Sequence, residues 1–165
     1  MKHIIALFCL ALVFTSCEGD QGPPGRDGVD GDVGVAFEIE RNFTSANGFQ
    51  IQEGYGFDIV PSDVVLVYIS WETLNGQEIW RLVPQTEYLD GGGMLTYNYD
   101  FTDTDYRIFL TADFDLNTLD SSYTQNQFFR IVIVPADYIN GIDTSNLDNV
   151  IQAANIESFK SLETM

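Results

Sequence analysis

"VVLVYISWETLNGQEIWRLV", residues Val64 to Val83, decides the fold class. Two runs rich in β-branched and aromatic residues flank Asn75-Gly76. A two-residue type I′ turn needs positive φ at both central positions, and Asn-Gly is the pair that adopts it most readily. The stretch therefore reads as a β-hairpin. With Leu74 opposite Gln77, an uninterrupted ladder sets Trp71 opposite Trp80 and Ile69 opposite Leu82. Both tryptophans would then share one face with Val65 and Val67. That face is read as the domain core, with an exposed aromatic platform as the other reading.

Working outward, short strands are expected near residues 36–43, 48–52, 56–60, 64–71, 78–83, 94–101, 106–113 and 128–134. Asn47-Gly48, Pro61-Ser62-Asp63 and Asp90-Gly91-Gly92-Gly93 supply turns between them. Short strands at this spacing, without intervening helices, point to an all-β antiparallel sandwich, Ig-like or jelly-roll-like, over residues 35–165. One short C-terminal helix is expected in SNLDNVIQAANI, Ser145 to Ile156. Ser145 and Asp148 have capping-box spacing, and Leu147, Val150, Ile151 and Ala154 recur on one helical face. This helix should close a sheet edge or an open end of the sandwich.

The N-terminus reads differently. Lys2 precedes an apolar run of 11 residues, Ile4 to Phe14, followed by Thr15, Ser16 and Cys17. That is the layout of an export signal over residues 1–16, and the run is too short for the roughly 20 residues a spanning helix needs. Phe14-Thr15-Ser16-Cys17 resembles the lipobox of bacterial lipoproteins, although Leu is usual where Phe14 stands. The resemblance implies cleavage before Cys17 and lipidation of that residue, which would hold the protein on a membrane. Glu18 and Asp20 resemble the acidic stretch by which some Gram-negative bacteria route lipoproteins to the outside of the outer membrane. A surface-exposed, outer-membrane location follows as an expectation.

Glycines at positions 19, 22, 25, 28, 31 and 34 define five Gly-X-Y triplets. This resembles the short collagen-like segments that follow the lipidated cysteine in some bacterial surface lipoproteins. Residues 17–34 are therefore expected to be a lipidated, extended spacer. A homotrimer is the assembly that collagen spacing permits. Asp20, Asp27, Asp30 and Asp32 against Arg26 nevertheless charge each strand to −3. Three aligned strands would hold like charges within the screening length of about 8 Å, which works against an unaided triple helix.

Composition removes whole classes of function. The full chain carries a net charge of −18. Cleavage at Cys17 would remove Lys2 and leave 6 basic against 25 acidic residues, a net charge of −19. Nucleic acid, whose phosphates need Lys and Arg, is not an expected partner. His3 and Cys9 would leave with the signal. A chain with no histidine and no free thiol has no Ser-His-Asp triad, no Cys-His pair and no His-ligated metal. It also has no internal disulfide, so its stability must come from its core. Paired-carboxylate chemistry and oxygen-ligated cations remain.

The expectation is a non-enzymatic surface protein with no cofactor that binds an unidentified protein or glycan or fills a structural role at the cell surface. The alternative is a carbohydrate-binding lipoprotein, or less readily a carbohydrate-cleaving one. Trp71 and Trp80 are its candidate ligand residues, with Tyr97, Tyr99 and Tyr123 as further rings. Glu38, Glu72, Glu78 and Asp113 are the carboxylates available for hydrolysis. Asp113, Asp115, Asn117 and Asp120 echo the first half of a calcium loop, but Thr118 and Thr124 stand where an EF-hand needs Gly and Glu.

Overall fold

The computed structural model describes residues 34–161. Cys17, the expected signal segment and the expected spacer up to residue 33 lie outside the described residues. The domain is an all-β sandwich of two sheets with no closed barrel. Its strands are β1 (Val35–Arg41), β2 (Gln50–Gly54), β3 (Asp63–Leu74), β4 (Gln77–Leu82), β5 (Gln85–Tyr88), β6 (Met94–Phe101), β7 (Asp105–Ala112), β8 (Gln127–Pro135) and β9 (Lys160–Ser161). The five-stranded sheet has the order β4-β3-β8-β1-β9 and the four-stranded sheet β2-β7-β6-β5. All pairings are antiparallel except that of β9 with β1.

The sheets close on each other through alternate residues. Val65, Val67 and Ile69 of β3 and Phe129 and Ile131 of β8 meet Leu95 and Tyr97 of β6 and Tyr106, Ile108 and Leu110 of β7 in one buried core. The other face of the five-stranded sheet is also covered. Ala36, Leu66, Tyr68, Val132 and Val134 pack against Leu147, Val150, Ala154 and Ile156. That second core explains why β3 and β8 read as nearly continuous apolar runs, since a strand buried on both faces has no polar side to alternate with.

The covering segment follows β8 as a short helix α1 (Ala136–Ile139) and then α2 (Leu147–Ala153). The expected helix therefore exists, but it lies on a sheet face rather than at an edge or an open end. Its N-cap is Asn146, whose side chain accepts from the backbone N–H groups of Asp148 and Asn149. Ser145, expected as the cap, instead donates its hydroxyl and its N–H to Asp143.

The Asn75-Gly76 turn forms as expected, with φ of 52° and 82°, and Leu74 pairs with Gln77. The register does not hold beyond it. Thr73 faces Glu78, but the next aligned pairs are Ser70 with Trp80, Ile69 with Arg81 and Tyr68 with Leu82. Trp71 and Glu72 together oppose Ile79, a β-bulge that shifts the alternation by one residue. The expected pairs Trp71–Trp80 and Ile69–Leu82 are thereby corrected. Trp71 and Trp80 lie on opposite faces of the sheet.

Residues 56–60, expected as a strand, form an irregular loop tied to the β6–β7 turn through the bond from Ile59 N–H to the Asp103 carbonyl. Strands β5 and β9 complete the sheets and were not foreseen. Strand direction gives the sandwich two poles. At one, Gly34 leads into β1 beside the paired ends Asp63 and Pro135, near the loop 55–62 and the turn 102–104. At the other lie the Asn75-Gly76 turn, the 89–93 turn and the long loop 113–126.

Gly34 is no free hinge. A Cβ there would sit 2.8 Å from Val134 Cγ1 and 3.0 Å from Ala154 Cβ, and its N–H donates to the Ala154 carbonyl. The last glycine of the triplet series thus belongs to the folded domain.

Candidate functional site

The bulge gives each tryptophan its own surroundings. Trp80, on the outer face, has the Arg130 guanidinium 4.1 Å from its ring centroid and Phe128 at 5.4 Å. Arg130 is held on its other side by Phe159, also at 4.1 Å, and donates Nε–H to Glu38 Oε1 at 2.8 Å. A cation flanked by two rings and paired with a carboxylate is a closed unit. Trp80 and Arg130 line a cleft of about 590 Å³ whose rim is formed by Ser145, Asn146 and Asp148. Asn146 and Ser145 are engaged in local turns there, as described above.

Trp71, on the inner face, closes the end of the sandwich core at the pole opposite Gly34. Its ring packs on Tyr97 at 5.2 Å, with Arg81 at 5.9 Å. It lines a cleft of about 390 Å³ together with Glu87, Tyr123 and Asn126. The wall of this cleft is pinned from beneath. Buried Gln127 donates to the carbonyls of Ser122 and Gln125 at 2.9 and 2.8 Å. Tyr97, fully buried, donates its hydroxyl to the Tyr123 carbonyl at 2.6 Å. Burial raises the Tyr97 phenol pKa well above its ordinary value, so it stays a donor at neutral pH.

The two-tryptophan platform expected from the sequence does not form. Tyr97 and Tyr99 belong to the core instead, their hydroxyls bound to the carbonyls of Tyr123 and Val65. Tyr123 does reach a cleft. The candidate catalytic carboxylates each have a partner close by. Glu38 pairs with Arg130, Glu72 with Arg81, and Glu78 accepts from Ser70 and Thr73, which draw its pKa below the ordinary range.

The calcium-loop residues do not gather around a common point. Asp113 accepts from the Met94 N–H at 2.8 Å and so fixes the start of β6. Asp115 and Asp120 each cap a single 3-10 turn, accepting from the N–H of Asn117 and Ser122 respectively. Those bonds hold both carboxyls below their usual pKa. Asn117 spends its side-chain amide on Asp115. Among the described residues no group of three or more His, Cys, Asp or Glu side chains is placed to hold a metal ion.

Two site residues escaped the sequence reading. Glu87 lies on β5, a four-residue strand directly after Pro84 that is too short to show alternation. Asn126 sits at φ 52° in the turn before β8. Arg130 did leave a signal, as the one cation inside the run FFRIVIV.

The fold and its clefts define an acidic β-sandwich domain that carries the long loop 113–126 at the pole remote from Gly34. No family model matches the chain, and no curated protein or solved structure is similar to it.

Proposed function

We propose that the chain is a lipid-anchored, non-enzymatic protein of the cell envelope that presents its sandwich for binding at the outer surface of a Gram-negative bacterium. The observation that carries this reading is Phe14-Thr15-Ser16-Cys17 at the end of an 11-residue apolar run. Cys17 is the lipidation site in this reading. One acyl chain binds a membrane only marginally, and the lipoprotein class carries several. In this reading residues 18–33 are an extended, hydrated spacer, and the −3 charge of its Gly-X-Y stretch, residues 19–33, makes it self-repelling rather than wound into a stable triple helix.

The domain supports the reading in two ways. Gly34 is locked between β8 and the end of α2, so the tether meets the fold at a rigid point. The clefts beside Trp71 and Tyr123 lie at the pole opposite Gly34, away from the point where the chain enters the domain. A non-enzymatic role fits the four carboxylates weighed for hydrolysis: Glu38 and Glu72 are in ion pairs, Glu78 accepts from Ser70 and Thr73, and Asp113 accepts from the Met94 N–H.

Labelled palmitate incorporation with membrane fractionation tests the anchor. Wild type should take up label and sediment with membranes, and Cys17→Ala should do neither. Equal labelling of the two would overturn the assignment.

A further inference from the structure

The pole remote from Gly34 carries two clefts that share one residue. The first, of about 390 Å³, contains Trp71, Glu87, Tyr123 and Asn126. The second, of about 380 Å³, contains Leu89, Asp90, Leu119 and Tyr123. Glu87 and Leu89 are two residues apart, so they project from the same side of the chain where it leaves β5. Tyr123 lines both, so the two clefts adjoin along β5 and loop 113–126 and are taken together as one groove.

Several polar groups of this groove are not used by the fold. The Trp71 indole N–H, the Glu87 carboxylate, the Tyr123 hydroxyl and the Asn126 side-chain amide make no side-chain hydrogen bond among the described residues. The fold engages such groups at Glu38, Glu78 and Asp115, and within the groove at Asp120 and Gln127. An indole, a phenol, an amide and the carboxylates of Glu87 and Asp90, set on a wall pinned by Gln127 and Tyr97, form a preorganised array of donors and acceptors beside apolar ring surface. Sugars present that same combination, hydroxyls around the ring edge and C–H groups on its faces.

We propose that this groove binds a neutral oligosaccharide. No Lys or Arg lines either cleft, and the chain is strongly acidic, so uronic, sulfated or phosphorylated sugars are repelled. A basic peptide is the less favoured ligand. Asp120 already accepts from the Ser122 N–H, and Arg81 already stands over the Trp71 ring. Tyr123 bridges two subsites, which fits a ligand of at least two sugar units. The proposal deepens the display reading, on which it rests only for presentation at the cell surface.

The test is an array of neutral, N-acetylated, uronic and sulfated oligosaccharides probed with the detergent-solubilised full chain. Titration calorimetry on the strongest neutral hit follows, at low and high salt. Trp71→Ala should abolish binding. Glu87→Gln and Tyr123→Phe keep the shape of the groove, and each should weaken binding about tenfold, a difference of about 1.4 kcal/mol. These two variants keep the test decisive if Trp71→Ala perturbs folding. Trp80→Ala, at the other cleft, should bind as wild type, and affinity should be insensitive to salt.

Binding only to acidic glycans, binding lost with Trp80→Ala but unchanged in Glu87→Gln and Tyr123→Phe, or no binding to any neutral glycan would overturn the proposal. So would salt-sensitive capture of an oligolysine probe in place of sugar. Detergent-solubilised protein makes the result independent of Cys17, so failure here and failure of the anchor are told apart.

Discussion

The two faces of the five-stranded sheet are built from the same strands but differ in what covers them. The inner face meets a second sheet along its whole length, and its residues Val65, Val67, Ile69, Phe129 and Ile131 are all completely buried. The outer face is divided. One half, around Leu66, Tyr68, Val132 and Val134, lies beneath the α2 segment. The other half carries Trp80, Phe128, Arg130 and Glu38, sealed by a cation between two rings and a carboxylate. A sheet forms a continuous apolar core only where another element supplies apolar partners. Where cover ends, stacked aromatics and paired charge take over.

The largest expected effect lies on the inner face. Phe129→Ala removes a fully buried ring packed edge-on against Phe43 and should cost about 3–5 kcal/mol in urea melts. On the covered half of the outer face, Leu147→Ala should cost about 2–4 kcal/mol, because α2 can partly resettle on the sheet. A loss below 0.5 kcal/mol, roughly the scatter of surface substitutions, would mean that the second core is not a core.

The contrast can be sharpened with pH. Burial raises the phenol pKa of Tyr97 on the inner face and Tyr68 on the outer face above the ordinary value. Each holds its proton more tightly folded than unfolded. Their stabilisation is therefore complete below the ordinary tyrosine pKa of about 10 and is lost as pH rises beyond it. Melting temperature should be flat near neutrality and fall above pH of about 10. Tyr68→Phe and Tyr97→Phe should each soften the alkaline fall while losing a bond to the carbonyls of Thr144 and Tyr123 respectively. A melting curve unchanged to high pH would contradict the burial of both phenols.

A smaller effect is expected at the α2 cap. Asn146→Ala frees the N–H groups of Asp148 and Asn149 and should cost about 1 kcal/mol. Ser145→Ala, outside the cap, should cost less. The reverse order would restore Ser145 as the cap.

Much of this architecture was legible before any coordinates. Alternation and turn residues sufficed for β1, β6, β7 and β8, and Asn75-Gly76 for the β3–β4 turn. The helix appeared in the spacing of Leu147, Val150 and Ala154. Its location was written in β3 and β8, whose unbroken apolar runs require cover on both faces, but the helical pattern by itself does not say which surface it meets. The bulge at Trp71-Glu72 left no sequence signal, since neither residue is a glycine and both fit an ordinary strand. That one extra residue separated the tryptophans and moved the candidate site. Glu87 and Asn126 depend on long-range packing of β5 and loop 113–126, which local pattern does not encode. The acidic residues from Asp113 to Asp120 looked like ligands because capping and metal binding call on the same side chains.

The central claim is that the β3 bulge places Trp71 inside the sandwich end and Trp80 on the opposite face. Side-chain proton contacts measured by nuclear Overhauser spectroscopy test it directly. Trp71 indole protons should contact the ring of Tyr97, those of Trp80 should contact Phe128 and Arg130, and no cross-peak should join the two indoles. A cross-peak between the indoles of Trp71 and Trp80 would contradict the bulge and return both residues to one face.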